Sequence, residues 1–276
     1  MLSLTLDYTF KKVFAEEEKI LINLLNSLMN FPEEQIITCI QILNPKILPD
    51  DIHQKFIVLD IVAYDNYDRR YNIEMQAQKF DYYKDRATYY LSRLFSKQLE
   101  RGDDYIVVSP AYGIHLLDYE LYPDIDGFHY EFLFRETNHH QLILSHNIAL
   151  HMYELSGVSL DMRNKSNKHQ WLYFIKHAHD EEENDIMVNY SIPEIHQAYA
   201  LLKQYSQDEE TRLHAEARQM AIMTEKISLS NAEKRGEKRG EKRATIMMAK
   251  NLMQRGMPIN EIAMITQLDM NELVKL

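Results

Sequence analysis

The sequence predicts an α/β (α+β) protein with a helical C-terminal extension. Three observations predict it. Residues 56–78, FIVLDIVAYDNYDRRYNIEMQAQ, read as two strands around a polar turn. Strand-like and helix-like stretches then mix until about residue 156. Beyond that point the apolar residues recur at helical spacing.

The hairpin comes first because its chemistry is unusual. The first arm, Phe56 to Tyr64, is apolar on both faces except at Asp60. The second arm alternates, with Tyr71, Ile73, Met75 and Ala77 on one side and Asn72, Glu74, Gln76 and Gln78 on the other. A turn centred near Tyr67 places Asp60 opposite Glu74 on the same face. Directly opposed Cβ atoms are about 4.5–5.5 Å apart. Two carboxylates at that separation repel, and a buried charge has to be paired or to coordinate a metal. Divalent cations such as Mg²⁺ take carboxylate oxygens. A slip of one residue would put Glu74 on the other face.

Before the hairpin, LDYTFKKVF (6–14) leads into an apolar-periodic helix over about 17–30, carrying Ile20, Leu21, Leu24, Leu25 and Leu28 and closed by Pro32. Two roles are open to Asp7: capping the segment 8–14, or standing as a third acid beside Asp60 and Glu74. Residues 36–49 read as a short strand and a loop. The literal Pro49-Asp50 lies in a turn-like run, so Asp60 is the better candidate.

After the hairpin, a helix is expected from Lys79 to about Arg101, with Phe80, Tyr83, Ala87, Tyr90, Leu91, Leu94 and Leu99 as its stripe and Gly102 as its stop. Its polar border holds Arg86 and Gln98, which are solvated residues on one reading and neighbours of a metal or phosphate on the other. Residues 105–109, 112–118, 128–135 and 142–155 are strand-like. Helices follow over 167–178, with the sole tryptophan Trp171, and over 192–205, separated by the acidic run Asp180–Glu183, a solvated surface by composition. From 211 to 255 the pattern is one long polar helix containing AEKRGEKRGEKR (232–243), locally +3. The last residues, 256–276, read as two short helices with a tight turn. The expected organisation is a core over 1–156, a helical part packed on it over 157–208, a charged helical connector over 209–255 and a small helix-turn-helix-like tail over 256–276.

Composition narrows the function. The chain is 45% hydrophobic and 26% charged, which suits a globular core. Cys39 is the only cysteine, so neither a disulfide framework nor a cysteine-based zinc site is available. Twelve histidines show no H-E-x-x-H spacing; surface or core roles are expected for His139, His140, His146, His151, His177 and His179. The start lacks a basic stretch followed by an apolar one, and no run of about 18 apolar residues exists; no membrane contact and a cytoplasmic location are expected. A net charge of −11 argues against broad phosphate-driven binding, though not against a local basic groove.

Taken together, LDYTFKKVF, LNPKILPDD, LDI, IEMQ and KDRATYYLSRLFSKQLERGDDY resemble the Rpn-type family of recombination-promoting nucleases, or transposases, in the PD-(D/E)XK nuclease superfamily. The resemblance covers residues 5–120 well, extends to the tail, and is looser over 121–205. It implies a PD-(D/E)XK restriction-endonuclease-like core, a mixed β-sheet flanked by helices, and a Mg²⁺- (or Mn²⁺/Ca²⁺-) dependent DNA endonuclease linked to recombination or mobile DNA. Asp60 takes the family's strand aspartate, and Glu74 and Gln76 its E-x-Q. Asp7 matches the acid of D-x-x-F-K-x-x-F, and Arg86 and Gln98 match polar helix positions. Leu59 replaces the proline of PD and Gln76 the lysine of (D/E)-x-K; an amide neither carries charge nor exchanges a proton. The implied site has Asp60, Glu74 and the Met75 main-chain carbonyl holding the ion, Gln76 orienting water, Asp7 near a second ion and Arg86 neutralising phosphate. The alternative is a catalytically weak or inactive DNA-binding or assembly protein on the same fold. A homo-oligomer through the C-terminal helix is compatible with either.

Overall fold

The computed structural model describes residues 1–43, 46–47, 57–58 and 60–276. The chain runs α1 (Asp7–Glu16), α2 (Glu18–Met29), β1 (Ile40–Leu43), β2 (Lys46–Ile47), β3 (Ile57–Val58), β4 (Ile61–Asp65), β5 (Arg70–Gln76) and α3 (Tyr83–Ser96). It continues with β6 (Ala111–Leu117), β7 (His129–Arg135), β8 (Ile143–Glu154), α4 (Asn167–His177), α5 (Glu183–Asn189), α6 (Pro193–Gln207), α7 (Glu209–Gln254), α8 (Ile259–Thr266) and α9 (Met270–Leu273). Among these residues two compact units separate, Met1–Glu216 and Ala217–Leu276.

The first unit is built on a six-stranded mixed sheet in the order β1-β4-β5-β6-β8-β7. The β5–β6 and β6–β8 pairs are parallel and the others antiparallel. Parallel neighbours need a crossover, and α3 supplies the one between β5 and β6. Side chains alternate across the pleat. Ile61, Ala63, Tyr71, Ile73, Met75, Ile114, Leu116 and Tyr153 join one apolar cluster with residues of α1, α2, α4 and α6. Val62, Leu117, Leu150 and Met152 join a second with Tyr83, Ala87, Tyr90, Leu91 and Leu94 of α3.

Side-chain hydrogen bonds fix the joints. Asn30 ends α2 in the left-handed conformation, φ 51°. The Asn26 amide then holds both the N–H and the carbonyl of Ile37, setting the entry to β1. Fully buried Trp171 donates its Nε1–H to Asn23 Oδ1 at 2.8 Å, tying α4 to α2.

Four expectations change. The first hairpin arm is not one strand: Ile57–Val58 pairs with β2 in a separate two-stranded sheet, Asp60 sits in a bend, and the main-sheet strand starts at Ile61. Pro49, Asp50, Phe56 and Leu59 lie outside the described residues. The helix expected over 79–101 is shorter, because Lys79 reaches the Glu120 carbonyl at one end and the Gln98 amide pairs twice with the Ser109 backbone at the other. Gln98 therefore anchors the loop into β6. Residues 105–109 form no strand; Tyr105–Val107 is a 3₁₀ turn capped by Asp104, since β6 already fills the place between β5 and β8. The acidic run is not wholly solvated, because Glu181 pairs with Arg163 at 3.4 Å with both side chains mostly buried.

The second unit holds most of α7 and the tail. Ala249, Ile262 and Leu273 form its small core, with Asp269 capping α9 through Asn271 N–H. No described helix is long and apolar enough to cross a membrane.

Candidate active site

The hairpin register decides the site. Ile61 faces Ile73, Val62 faces Asn72 and Ala63 faces Tyr71, so the hairpin is centred on Tyr67 and Asp60 stands across from Glu74. The turn is locked by one carboxylate. Asp65 Oδ1 accepts the N–H groups of Tyr67 and Arg69, at 2.9 and 3.1 Å. Its Oδ2 takes Arg69 Nε at 2.6 Å and the Tyr71 hydroxyl at 2.7 Å. The Arg69 guanidinium lies 3.9 Å above the Phe31 ring and donates to the Gln35 carbonyl. Asp68 supplies the left-handed residue, φ 56°. Asp65, Asn66 and Asp68 are turn formers in the sequence, but only the fold shows that Asp65 clamps the pairing.

The alternating pattern of β5 suggests one solvated face, yet both faces are buried. Asn72 is 0% and Glu74 2% exposed, because α3 covers the polar side. Asp60 accepts the Met75 N–H at 2.8 Å through Oδ2, and its own N–H lies 3.4 Å from Glu74 Oε1. Arg86, on the first turn of α3, brings Nη2 to 3.6 Å from Glu74 Oε2. Its guanidinium sits 5.2 Å from the Tyr90 ring centre and 5.9 Å from that of Tyr83, so two aromatic faces hold it beside the carboxylates.

The electrostatics follow. Burial raises the Asp60 pKa to about 6, opposed by the Met75 hydrogen bond and reinforced by Asp7, with Arg86 and Lys11 pulling it down. Burial and then the Asp60 charge drive Glu74 well above the ordinary carboxylate range, against Arg86. One guanidinium at 3.6 Å does not offset two carboxylates out of water.

Of the other expected residues, Asp7 is inside the first turn of α1 rather than at its N-cap, which is Leu6, and accepts the Tyr8 N–H at 2.8 Å. Its charge reaches both Asp60 and Glu74. Gln76 ends β5 on Glu74's side of the pleat, half-buried, and its main-chain carbonyl accepts from Asp118 N–H. The structure thus brings Asp60, Glu74 and Arg86 together, with the Met75 backbone in contact and Asp7 within electrostatic reach.

Two further residues belong to this face. His115 is the β6 partner of Glu74, and its Nδ1 is 2.7 Å from the Tyr83 hydroxyl. Burial, then Arg86 and His151, lower its pKa to about 3, so it is neutral. The signal available for His115 is the one that marks Asp60, a single polar residue in an apolar strand. Among the other histidines, exposed His139 pairs with Glu136, and buried His151 stacks on half-buried His129.

Among the described residues no three His, Cys, Asp or Glu side chains converge to hold a metal ion alone. The donor set nonetheless fits a hard divalent cation. Two carboxylates held close at the cost of mutual repulsion are what such a cation relieves, and Mg²⁺ is commonly bound by one or two carboxylates plus waters and substrate phosphates.

A six-stranded mixed sheet with helices on both faces, and two carboxylates meeting beside its central hairpin, define an α/β core with an acidic site. The model of the PD-(D/E)XK nuclease family transposases matches residues 4–232, and the chain belongs to that family. No curated protein and no solved structure matches it.

Proposed function

We propose that the chain is a metal-dependent DNA endonuclease that hydrolyses phosphodiester bonds, linked to recombination or mobile DNA. The observation that carries this reading is the meeting of Asp60 and Glu74, two carboxylates withdrawn from water beside Arg86, with the Asp60 N–H 3.4 Å from Glu74 Oε1 and the Asp60 charge raising the Glu74 pKa. Asp60 and Glu74 would hold a Mg²⁺ ion (or Mn²⁺/Ca²⁺), joined by the Met75 carbonyl, and Asp7 would serve a second. When bound, such an ion polarises the scissile phosphate and acidifies a water. Gln76 orients the attacking water through its amide but takes no proton from it. Arg86, half-buried and held against two rings, offers the transferring phosphate a fixed positive charge. Tyr83 and His115 support the arrangement from behind, keeping a neutral imidazole next to Glu74.

The division of labour follows the sequence: a nuclease-like core over 1–156, a helical part over 157–208, a charged connector over 209–255 and a helix-turn-helix-like tail over 256–276. The long helix is also a candidate for pairing two copies, and the protein works in the cytoplasm. A second reading keeps the fold without turnover, as a DNA-binding or assembly protein. Gln76 in place of the lysine favours it.

Plasmid cleavage with Mg²⁺, Mn²⁺ or Ca²⁺ separates the two. Wild type is expected to nick or linearise DNA only with metal, and Glu74→Ala and Asp60→Ala to fall to background. Folded wild type that cuts with none of these ions would leave the binding role in its place. Cutting that survives Asp60→Ala would place the centre elsewhere.

A further inference from the structure

Residues 233–243 of α7 read EKRGEKRGEKR. A four-residue step on an α-helix advances about 40°, so like residues line up. Lys234, Lys238 and Lys242 form one stripe. Arg235, Arg239 and Arg243 form the next, about 100° round the helix. The glutamates flank the lysines on the other side, and Gly236 and Gly240 flank the arginines, with nothing within 4 Å of where a Cβ would be. The segment is helical throughout and every residue from 223 to 244 is exposed.

These cations are largely unneutralised. Lys242 pairs with Glu272 at 2.7 Å, and Arg235 donates to the Asn231 carbonyl of its own helix. Glu233, Glu237 and Glu241 make no ion pair with the stripe among the described residues. A shallow hollow of about 390 Å³ is lined by Asn231, Lys234, Arg235 and Lys238, without a carboxylate. In a chain of net charge −11, six of 31 cations thus share one face about 14 Å long. Neighbouring cations of one stripe are about 5–6 Å apart. A regular row of positive charge in which Lys242 alone has an ion-pair partner among the described residues suits a regular row of negative charge, and four nucleotides of one DNA strand span the same 14 Å at about 3.4 Å each.

We infer that this stripe is a contact surface for the phosphate backbone of duplex DNA, built from residues other than the carboxylate pair and blind to sequence. The partner class rests on the nuclease reading above; the charge geometry does not. Backbone contacts position a protein and carry no sequence information.

The test is binding of the full-length protein to a fluorescein-labelled 30-base-pair duplex in EDTA, where no metal-dependent cutting occurs, over a salt series. Each phosphate contact contributes about −0.9 to the slope of log affinity against log salt. Lys234→Gln/Arg235→Gln/Lys238→Gln/Arg239→Gln is expected to flatten that slope by up to about 3.6 and to weaken binding about tenfold or more near 0.1 M salt. Glu233→Gln/Glu237→Gln/Glu241→Gln is expected to tighten binding. Lys234→Arg/Lys238→Arg, which keeps the charge, is expected to keep the slope. Helical content by circular dichroism shows that the variants fold. A quadruple variant that folds and binds with the wild-type slope overturns the inference, and so does loss of binding in the arginine swap. Failure of the stripe would leave Glu74-dependent cutting untouched. Failure of cutting would leave the salt slope and its response to the stripe in place.

Discussion

Asp65 is the residue on which the hairpin register, and hence the Asp60–Glu74 meeting, depends most directly. Its side chain is 0% exposed and its partner Arg69 5% exposed, so the pair is screened by little water. Replacing Asp65 with Asn keeps an acceptor for the Tyr67 and Arg69 N–H groups but leaves the guanidinium buried against one carbonyl and two rings. Breaking a buried pair from one side costs about 3–5 kcal/mol. For a unit of this size that lowers the melting temperature by on the order of 10 °C. Arg69→Met should cost less, because the remaining carboxylate keeps two backbone N–H donors and the Tyr71 hydroxyl. The assay is urea unfolding followed by Trp171 fluorescence; the only tryptophan lies in the Met1–Glu216 unit and reports on it alone. The expected order of loss is Asp65→Ala, then Asp65→Asn, then Arg69→Met. An Asp65→Asn variant within about 1 kcal/mol of wild type, or Arg69→Met as the worst of the three, would refute the clamp.

Other outcomes follow from the same geometry. Saturating Mg²⁺, Mn²⁺ or Ca²⁺ should raise the melting temperature of wild type, by the equivalent of about 2.7 kcal/mol at a hundred times the dissociation constant. Glu74→Gln should show no such rise and, without metal at pH 8, should unfold no earlier than wild type, since it removes a like charge from beside Asp60; a metal response that persists would count against the carboxylate pair. Half-buried His129 and buried His151, stacked on each other, have pKa values lowered to about 4 and about 3 from 6.5, chiefly by desolvation. The unfolded chain therefore binds protons that the native one refuses, and stability should drop as pH falls from about 6.5 toward 4 and below. His151→Phe should make that drop shallower, and a variant with the wild-type pH profile would show that these rings are not neutral in the fold.

Much of this was legible before any coordinates. Local chemistry is written in local pattern: the leucine spacing of α2, the turn at Asp65–Asp68, the stop before Pro32, and the period-four repeat of α7 each depend on neighbours a few residues away. The Asp60–Glu74 register belongs here too, because a hairpin's pairing follows from the centre of its turn. The family entered as a resemblance of short motifs, and the family model covers residues 4–232.

What the tertiary structure alone decided is which polar groups leave water. Alternation in β5 is the same whether its polar face meets solvent or a helix; the covering by α3 buries Asn72 and Glu74 and raises the carboxylates' pKa values. The partners of Glu74 come from far along the chain, Arg86 on α3 and His115 on β6, and no periodicity links them. The break of the first arm at Asp60, the clamp of Asp65 and Arg69 against Phe31, and the turn at Tyr105–Val107 also depend on non-local packing. Desolvation and long-range charge are properties of three-dimensional neighbourhoods, so the sequence could nominate the acids and their opposition, but only the fold could take them out of water and set Arg86 and His115 beside them.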